Sequence, residues 1–359
     1  MTGSPTPLAA RLARRIRAGG PIPLSEFMAE CLLDPQHGYY ATRDPFGATG
    51  DFTTAPEISQ MFGELLGLCL AQAWLDLGMP SPFTLAELGP GRGTLMADLL
   101  RATRGVAGFH AAARIVLVEA SPTLRARQRQ ALAGHAPSWV DTADALPEAP
   151  LFLVANEFFD ALPIRQFTRT AAGWAETVVG LADDGRLALG RAPAAPLAAL
   201  APRLADTVTG DVVETCPAAP AIMAAITRRI LSHGGMALIL DYGGWRGQGD
   251  TFQALKDHAF CDPLAAPGEA DLTAHVDFAA LAAAAAPART AFLPQGTLLA
   301  RLGLDARADR LAASLDGAAL IAHRAAQRRL THPSEMGTLF KALAVFAPGA
   351  PPPPGFADA

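Results

Sequence analysis

Residues 84–101 narrow the fold more than any other stretch. Thr84 to Ala86 is a short apolar run of the kind that forms a buried parallel strand. It ends in Glu87, and three glycines follow at alternate positions, Gly89, Gly91 and Gly93. The pattern turns helical at once, from about Thr94 to Arg101. Strand, glycine turn and helix, in that order, make the first half of a nucleotide-binding α/β unit. A dinucleotide fingerprint would place its third glycine at position 94, where this chain has threonine.

Gly-x-Gly-x-Gly behind an acid fits a loop that takes S-adenosylmethionine instead. That cofactor has no phosphate for Glu87 to repel, and glycines let the backbone lie against it. The Glu87 carboxylate then meets the cofactor's cationic end, directly or through water. A plain turn before a helix is the alternative. The next strand, Arg114 to Val118, again ends in an acid, Glu119. In mononucleotide folds that position accepts from ribose hydroxyls, although a helix-capping or solvated role is also open. Ser121 and Pro122 have the residue types of an N-cap and a first helical position. A short strand at Ser138 to Asp141 leads to Asp144, preferred over Asp141 as the acid beside adenine; a turn role stays open.

The run Leu151 to Ala155 passes into Asn156-Glu157-Phe158-Phe159-Asp160. Ligands of open α/β sheets bind outside the carboxyl ends of strands, so this segment should face the transferred group. Two carboxylates with two aromatics between them suit a cationic acceptor. The plainer reading makes Asn156 the N-cap of a following helix, with acids in its first turn. Glu57 offers a further carboxylate, or starts a helix expected to run from Glu57 to Leu77 with Thr53 or Thr54 near its cap. His275 and Asp277, two apart, do not face each other on a helix, and Asp271 to Thr273 looks like a helix start.

With 50% hydrophobic and 18% charged residues in 359, the chain can build a substantial core. A net charge of −5 argues against a general nucleic-acid binder. Cys31, Cys69, Cys216 and Cys261 lack metal-site spacing and read as reduced thiols, so no metal is expected. No run approaches the length of a membrane span. The opening residues lack a signal peptide, and the basic amphipathic stretch from Leu8 to Arg17 reads as part of the mature fold. A cytoplasmic protein is expected, or a matrix protein in a eukaryote.

Several blocks in one order give the chain a resemblance. They are Gly50 to Gln60, Glu87 to Met96, Ala155 to Pro163, Asp241-Tyr242-Gly243, Ala270 to Phe278, Gln295-Gly296 and Met336 to Lys341. On these the chain resembles the MidA-like methyltransferases, whose members include a mitochondrial arginine methyltransferase that assists assembly of respiratory complex I. The resemblance implies a Rossmann-like class I methyltransferase sheet of seven strands, mostly parallel, with the last antiparallel near Leu339 to Phe346. It also implies a protein substrate, with a complex I subunit as its finer form. A small-molecule methyltransferase and a non-catalytic, cofactor-binding assembly chaperone remain alternatives. The oligomeric state is open, a homodimer included.

Residue by residue, the candidate catalytic acids are Glu157, Asp160 and Glu57, with Phe158, Phe159, Tyr39 or Tyr40 as aromatic walls. The cofactor set is Glu87, Gly89, Gly91, Gly93, Glu119, Ser121, Asp144 and Asn156. The expected partition is a helical cap at 1–82, the first half of the core at 83–165 and a β-rich insertion at 166–215. The second half follows at 216–347, with an insertion at about 245–290, and a flexible tail at 348–359.

Overall fold

Runs of apolar residues with no polar alternation form strands covered on both faces, and the central strands here obey that rule. The computed structural model describes residues 6–42 and 54–357. Gly50 to Thr53 of the block noted above lie outside the described residues. The chain divides into two units. One comprises Met1–Phe52, Asp160–Ala219 and Trp245–Asp277; the other comprises Thr53–Phe159, Pro220–Gly244 and Phe278–Ala359.

The second unit holds the main sheet. Its strands are β1 (Phe83–Leu88), β2 (Ala113–Val118), β3 (Ser138–Val140), β4 (Leu151–Asn156), β5 (Gly235–Gly244), β6 (Arg289–Pro294) and β7 (Phe340–Phe346). They lie side by side in the order β6-β7-β5-β4-β1-β2-β3. The pairs from β5 to β3 are parallel, while β7 runs antiparallel between β5 and β6. This is the class I methyltransferase arrangement, with its last strand reversed. Every residue of β1 and β4 is buried.

Three local expectations change in this unit. The helix expected from Glu57 to Leu77 is two, Ala55–Ile58 and Gln60–Asp76. Ser59 interrupts it in an extended conformation (φ −160°, ψ 134°), its hydroxyl accepting from the Met61 N–H. No helix follows Asn156, because Glu157 takes a left-handed φ of +51°, which a helix cannot continue. The Pro-rich end is packed rather than loose. Phe356 is 1% exposed within the core, and Arg301 donates to the carbonyls of Gly355 and Ala357.

In the first unit, Pro7–Gly19 buries Leu8, Leu12 and Ile16. Arg11 and Arg15 are tied down by acids of the next helix, Leu24–Leu33, and by Asp34, through the pairs Arg11–Glu30, Arg11–Asp34 and Arg15–Glu26. Strands Arg165–Thr170, Gly173–Leu181 and Leu187–Arg191 form an antiparallel meander, joined by Ile22–Pro23 and Val212–Thr215. A smaller sheet contains Gln253–Lys256, Ala259–Cys261 and Asp271–Thr273, so the expected helix start at Asp271 is a strand. The helix Gln60–Asp76, grouped by sequence with the first 82 residues, belongs to the unit of the main sheet. Among the described residues no helix is long and apolar enough to cross a membrane.

Candidate cofactor and methyl-transfer site

Strand register lines up the carboxyl ends of four parallel strands. Leu88 lies beside Val118 and Ala155, and Asn156 lies beside Leu240. The residues at or just after these ends are therefore neighbours along one edge: Glu87, Glu119, Asn156 with Glu157, and Asp241. Open parallel sheets bind their ligands at this edge.

Glu87 is 3% exposed, and its Oε2 has no hydrogen-bond partner among the described residues. Burial pushes its carboxyl up to about 8, opposed by a bond from the Met96 N–H and reinforced by the charge of Glu119. The glycine loop turns directly after it. Gly89 has φ +58°, and a Cβ there would sit 2.9 Å from Phe158 Cδ2, so a side chain would be both strained and crowded. Gly91 and Gly93 also have positive φ, and Gly93 is the N-cap of Thr94–Ala102.

Glu119 is held by its neighbours. Its Oε1 accepts from the Ser121 N–H at 2.8 Å and its Oε2 from Gln128 Nε2 at 3.1 Å. Burial raises its pKa, and those two hydrogen bonds work against the rise. Ser121 caps Pro122–Ala131 through its hydroxyl, which accepts from the Leu124 N–H. Gln128 escaped the sequence reading although a signal existed. It falls on the stripe of Leu124 and Leu132, where an apolar residue is expected, and it is fully buried.

Glu157 Oε1 accepts from the Ala55 N–H and from Asn156 Nδ2, both at 3.0 Å. The turn that starts at Ala55 carries Glu57, whose Oε1 accepts from the Thr94 hydroxyl at 2.5 Å. Thr54, the residue before this turn, makes no side-chain cap bond. Asp241, fully buried, accepts from the N–H groups of Phe158 and Phe159 through Oδ2 and from Tyr242 through Oδ1. It anchors the segment after β4 in place of the missing helix. Asp241 closes the apolar run Met236 to Leu240 just as Glu87 and Glu119 close theirs, so the same sequence rule marks it.

The other candidates have partners of their own. Asp144, on the short turn Ala143–Ala145, has a side chain 79% exposed and paired with Arg228 at 3.2 Å. Asp141 is likewise exposed and paired with Arg125. Asp160 belongs to the first unit, buried, its carbonyl accepting from the Ala274 N–H. There Tyr40 donates to Asp271 Oδ1 at 2.8 Å. The Asp277 Oδ2 accepts from the Gly247 N–H, and the His275 N–H donates to Thr251 Oγ1.

The edge fits S-adenosylmethionine. Glu87 Oε2 and Asn156 Oδ1, both buried and without a partner among the described residues, are acceptors in want of donors. The cofactor's ammonium and hydroxyl groups are donors. Glu119 keeps further lone pairs for a ribose diol, and the glycine loop leaves room for backbone contact.

Comparison with known proteins agrees with this geometry. The model of an S-adenosyl-L-methionine-dependent methyltransferase family matches residues 65–294. The mitochondrial protein arginine methyltransferase NDUFAF7 homolog of Drosophila melanogaster is 37% identical, over 94% of this chain and 84% of its own. The human mitochondrial protein arginine methyltransferase NDUFAF7 is 38% identical, over 84% of this chain and 74% of its own. A Burkholderia thailandensis protein, crystallised with S-adenosyl-homocysteine bound, superposes with a TM-score of 0.84 at 31% identity, covering 99% of this chain and 97% of that one. Strand order, strand-end acids and relatives thus agree: this chain belongs to the S-adenosyl-L-methionine-dependent methyltransferase family that includes the NDUFAF7 proteins.

Proposed function

We propose that this enzyme methylates an arginine side chain of a protein, with Glu157 and Glu57 gripping the guanidinium. The observation that carries the reading is the coupling of these two glutamates through one helical turn. The first N–H of Ala55–Ile58 holds Glu157, and the same turn bears Glu57, fixed in turn by Thr94. The names of the relatives, protein arginine methyltransferases, support it.

A guanidinium is protonated at any working pH and presents five donors in a plane. Carboxylates held by their own hydrogen bonds grip such a group in a fixed orientation and draw its charge away from the nitrogen to be alkylated. When bound, S-adenosylmethionine supplies an electrophilic methyl group on a sulfonium. The nitrogen loses a proton on alkylation, and the glutamates provide an acceptor for it. In this reading Glu87, Gly89, Gly91, Gly93, Glu119, Ser121 and Asn156 hold the cofactor, Asp144 borders its adenine, and Asp160 is the third acid on the acceptor side. Asp241 keeps the Glu157 segment in place. A complex I subunit is the target that the resemblance implies, in the bacterial cytoplasm or the mitochondrial matrix.

The test is incubation with tritiated-methyl S-adenosylmethionine and an extract of cells lacking the enzyme. A labelled protein band whose hydrolysate contains methylarginine is expected. Label only in a small product, or in no product, overturns the reading. Glu157→Gln should lower the turnover rate about 100- to 1,000-fold, the cost of removing one group aimed at transition-state charge, while S-adenosylhomocysteine still binds. Wild-type turnover in this variant would remove Glu157 from the grip.

A further inference from the structure

We propose that Gln128 is a positioning residue of the cofactor site, which holds Glu119 and the glycine loop in one fixed relation and so sets affinity for the ribose. The inference rests on the reading of Glu119 as the acid that meets the ribose hydroxyls.

A buried primary amide needs partners, and each partner here belongs to a different element of the site. Gln128 Nε2 donates to the Gly91 carbonyl at 2.8 Å and to Glu119 Oε2 at 3.1 Å, and Gln128 Oε1 accepts from the Trp139 indole at 2.7 Å. Gly91 lies in the glycine loop, Glu119 follows β2, and Trp139 is in β3. The amide cannot turn over. An indole N–H only donates, so it requires the oxygen, and a carboxylate only accepts, so it requires the nitrogen. Packing adds to the clamp, since a Cβ on Gly93 would lie 3.4 Å from Gln128 Cα.

Glu119 is therefore gripped from both ends of one helix, by the Ser121 N–H before it and by Gln128 near its end. The carboxylate is left with one orientation, and its remaining lone pairs are aimed before any ligand arrives. Such preorganisation removes an ordering cost from binding. Gln128 needs no contact with the cofactor to do this.

The experiment is calorimetric titration of S-adenosylhomocysteine and of its 2′-deoxy analogue into wild type, Gln128→Met, Trp139→Phe and Glu119→Ala. In Gln128→Met the affinity for S-adenosylhomocysteine should fall about 5- to 10-fold. Its preference over the deoxy analogue should shrink toward that of Glu119→Ala. Trp139→Phe keeps the packing and frees the amide to rotate, so it should move both readings the same way, about threefold. That variant carries the test if Gln128→Met does not fold. The inference is overturned if affinity and preference are both retained. It is also overturned if both ligands weaken equally, the mark of general structural damage. Loss of binding in Glu119→Ala beside wild-type behaviour of Gln128→Met overturns this inference alone. Wild-type binding by Glu119→Ala would overturn the ribose reading beneath it.

Discussion

Glu87 and Glu119 end neighbouring parallel strands, yet their surroundings are opposite. Glu87 is sealed in the sheet with one carboxylate oxygen unpartnered among the described residues. Glu119 is half-buried, and both its oxygens accept from the protein. Burial alone would neutralise either acid. Burial raises both pKa values, but at Glu119 donors from Ser121 and Gln128 oppose the rise, whereas at Glu87 only a single backbone bond does. One acid is thus preorganised by the protein, and the other awaits a positive charge from its ligand. Two residues with the same sequence signature, an acid closing an apolar run, come to do different work through what packs around them.

The largest effect expected from this contrast is in Glu87→Gln. Glutamine has nearly the shape of the neutral acid that the ligand-free fold holds, and it cannot gain by ionising on unfolding, so the thermal midpoint at pH 7 should rise. Affinity for S-adenosylmethionine should fall about 100-fold, the upper range for losing a bond to a charged group. Parallel melting and titration curves would check both. A lowered midpoint would mean that Glu87 is ionised without ligand, and the contrast would fail.

The proton on Glu87 gives the next effect. Its folded pKa, about 8, lies above the roughly 4.3 of an unfolded glutamate. Between these values the folded chain binds more protons than the unfolded one. The Glu87 contribution is therefore full below the unfolded value and is lost as pH rises through about 8. A cationic ligand favours the ionised form, so binding at pH 7 should release close to one proton, and affinity should rise up to about tenfold per unit as pH approaches 8. Calorimetry in buffers of different ionisation enthalpy measures the release. The same release in Glu87→Gln would assign it elsewhere.

Sequence made this edge legible because position along a strand is a local property. Glu87, Glu119 and Glu157 announce themselves by closing apolar runs, and Ser121-Pro122 marks its helix start with residue types alone. What escaped depends on distant partners. The left-handed Glu157 is held by its N–H bond to the Leu240 carbonyl and by Asp241, which caps the two residues after it. The packed tail needs Phe356 to find the core and Cys69 Sγ to reach the Pro354 carbonyl. In the other unit, the polar strand residues Gln166, Thr168 and Thr177 are all buried. Gln166 there joins Glu214, Asp250 and Thr177 in one network, a satisfied polar core that no alternation of hydrophobicity encodes.

Glu119→Gln should have a smaller effect on affinity than Glu87→Gln, and it tests the contrast from the other side. Two donors face this carboxylate, and an amide can accept from only one of them without turning its own N–H groups against the other. Gln128 cannot rotate to help, because Trp139 holds its oxygen. The ligand-free protein should therefore lose about 1–2 kcal/mol of stability, the cost of one unsatisfied pairing. S-adenosylmethionine affinity should fall only about tenfold, since one oxygen still accepts. Glu87→Gln would then cost binding and spare the fold, while Glu119→Gln would cost the fold and partly spare binding. If the two variants instead shared one pattern, the strand-end acids would be equivalent charges, and the difference in their surroundings would have no part in how the site works.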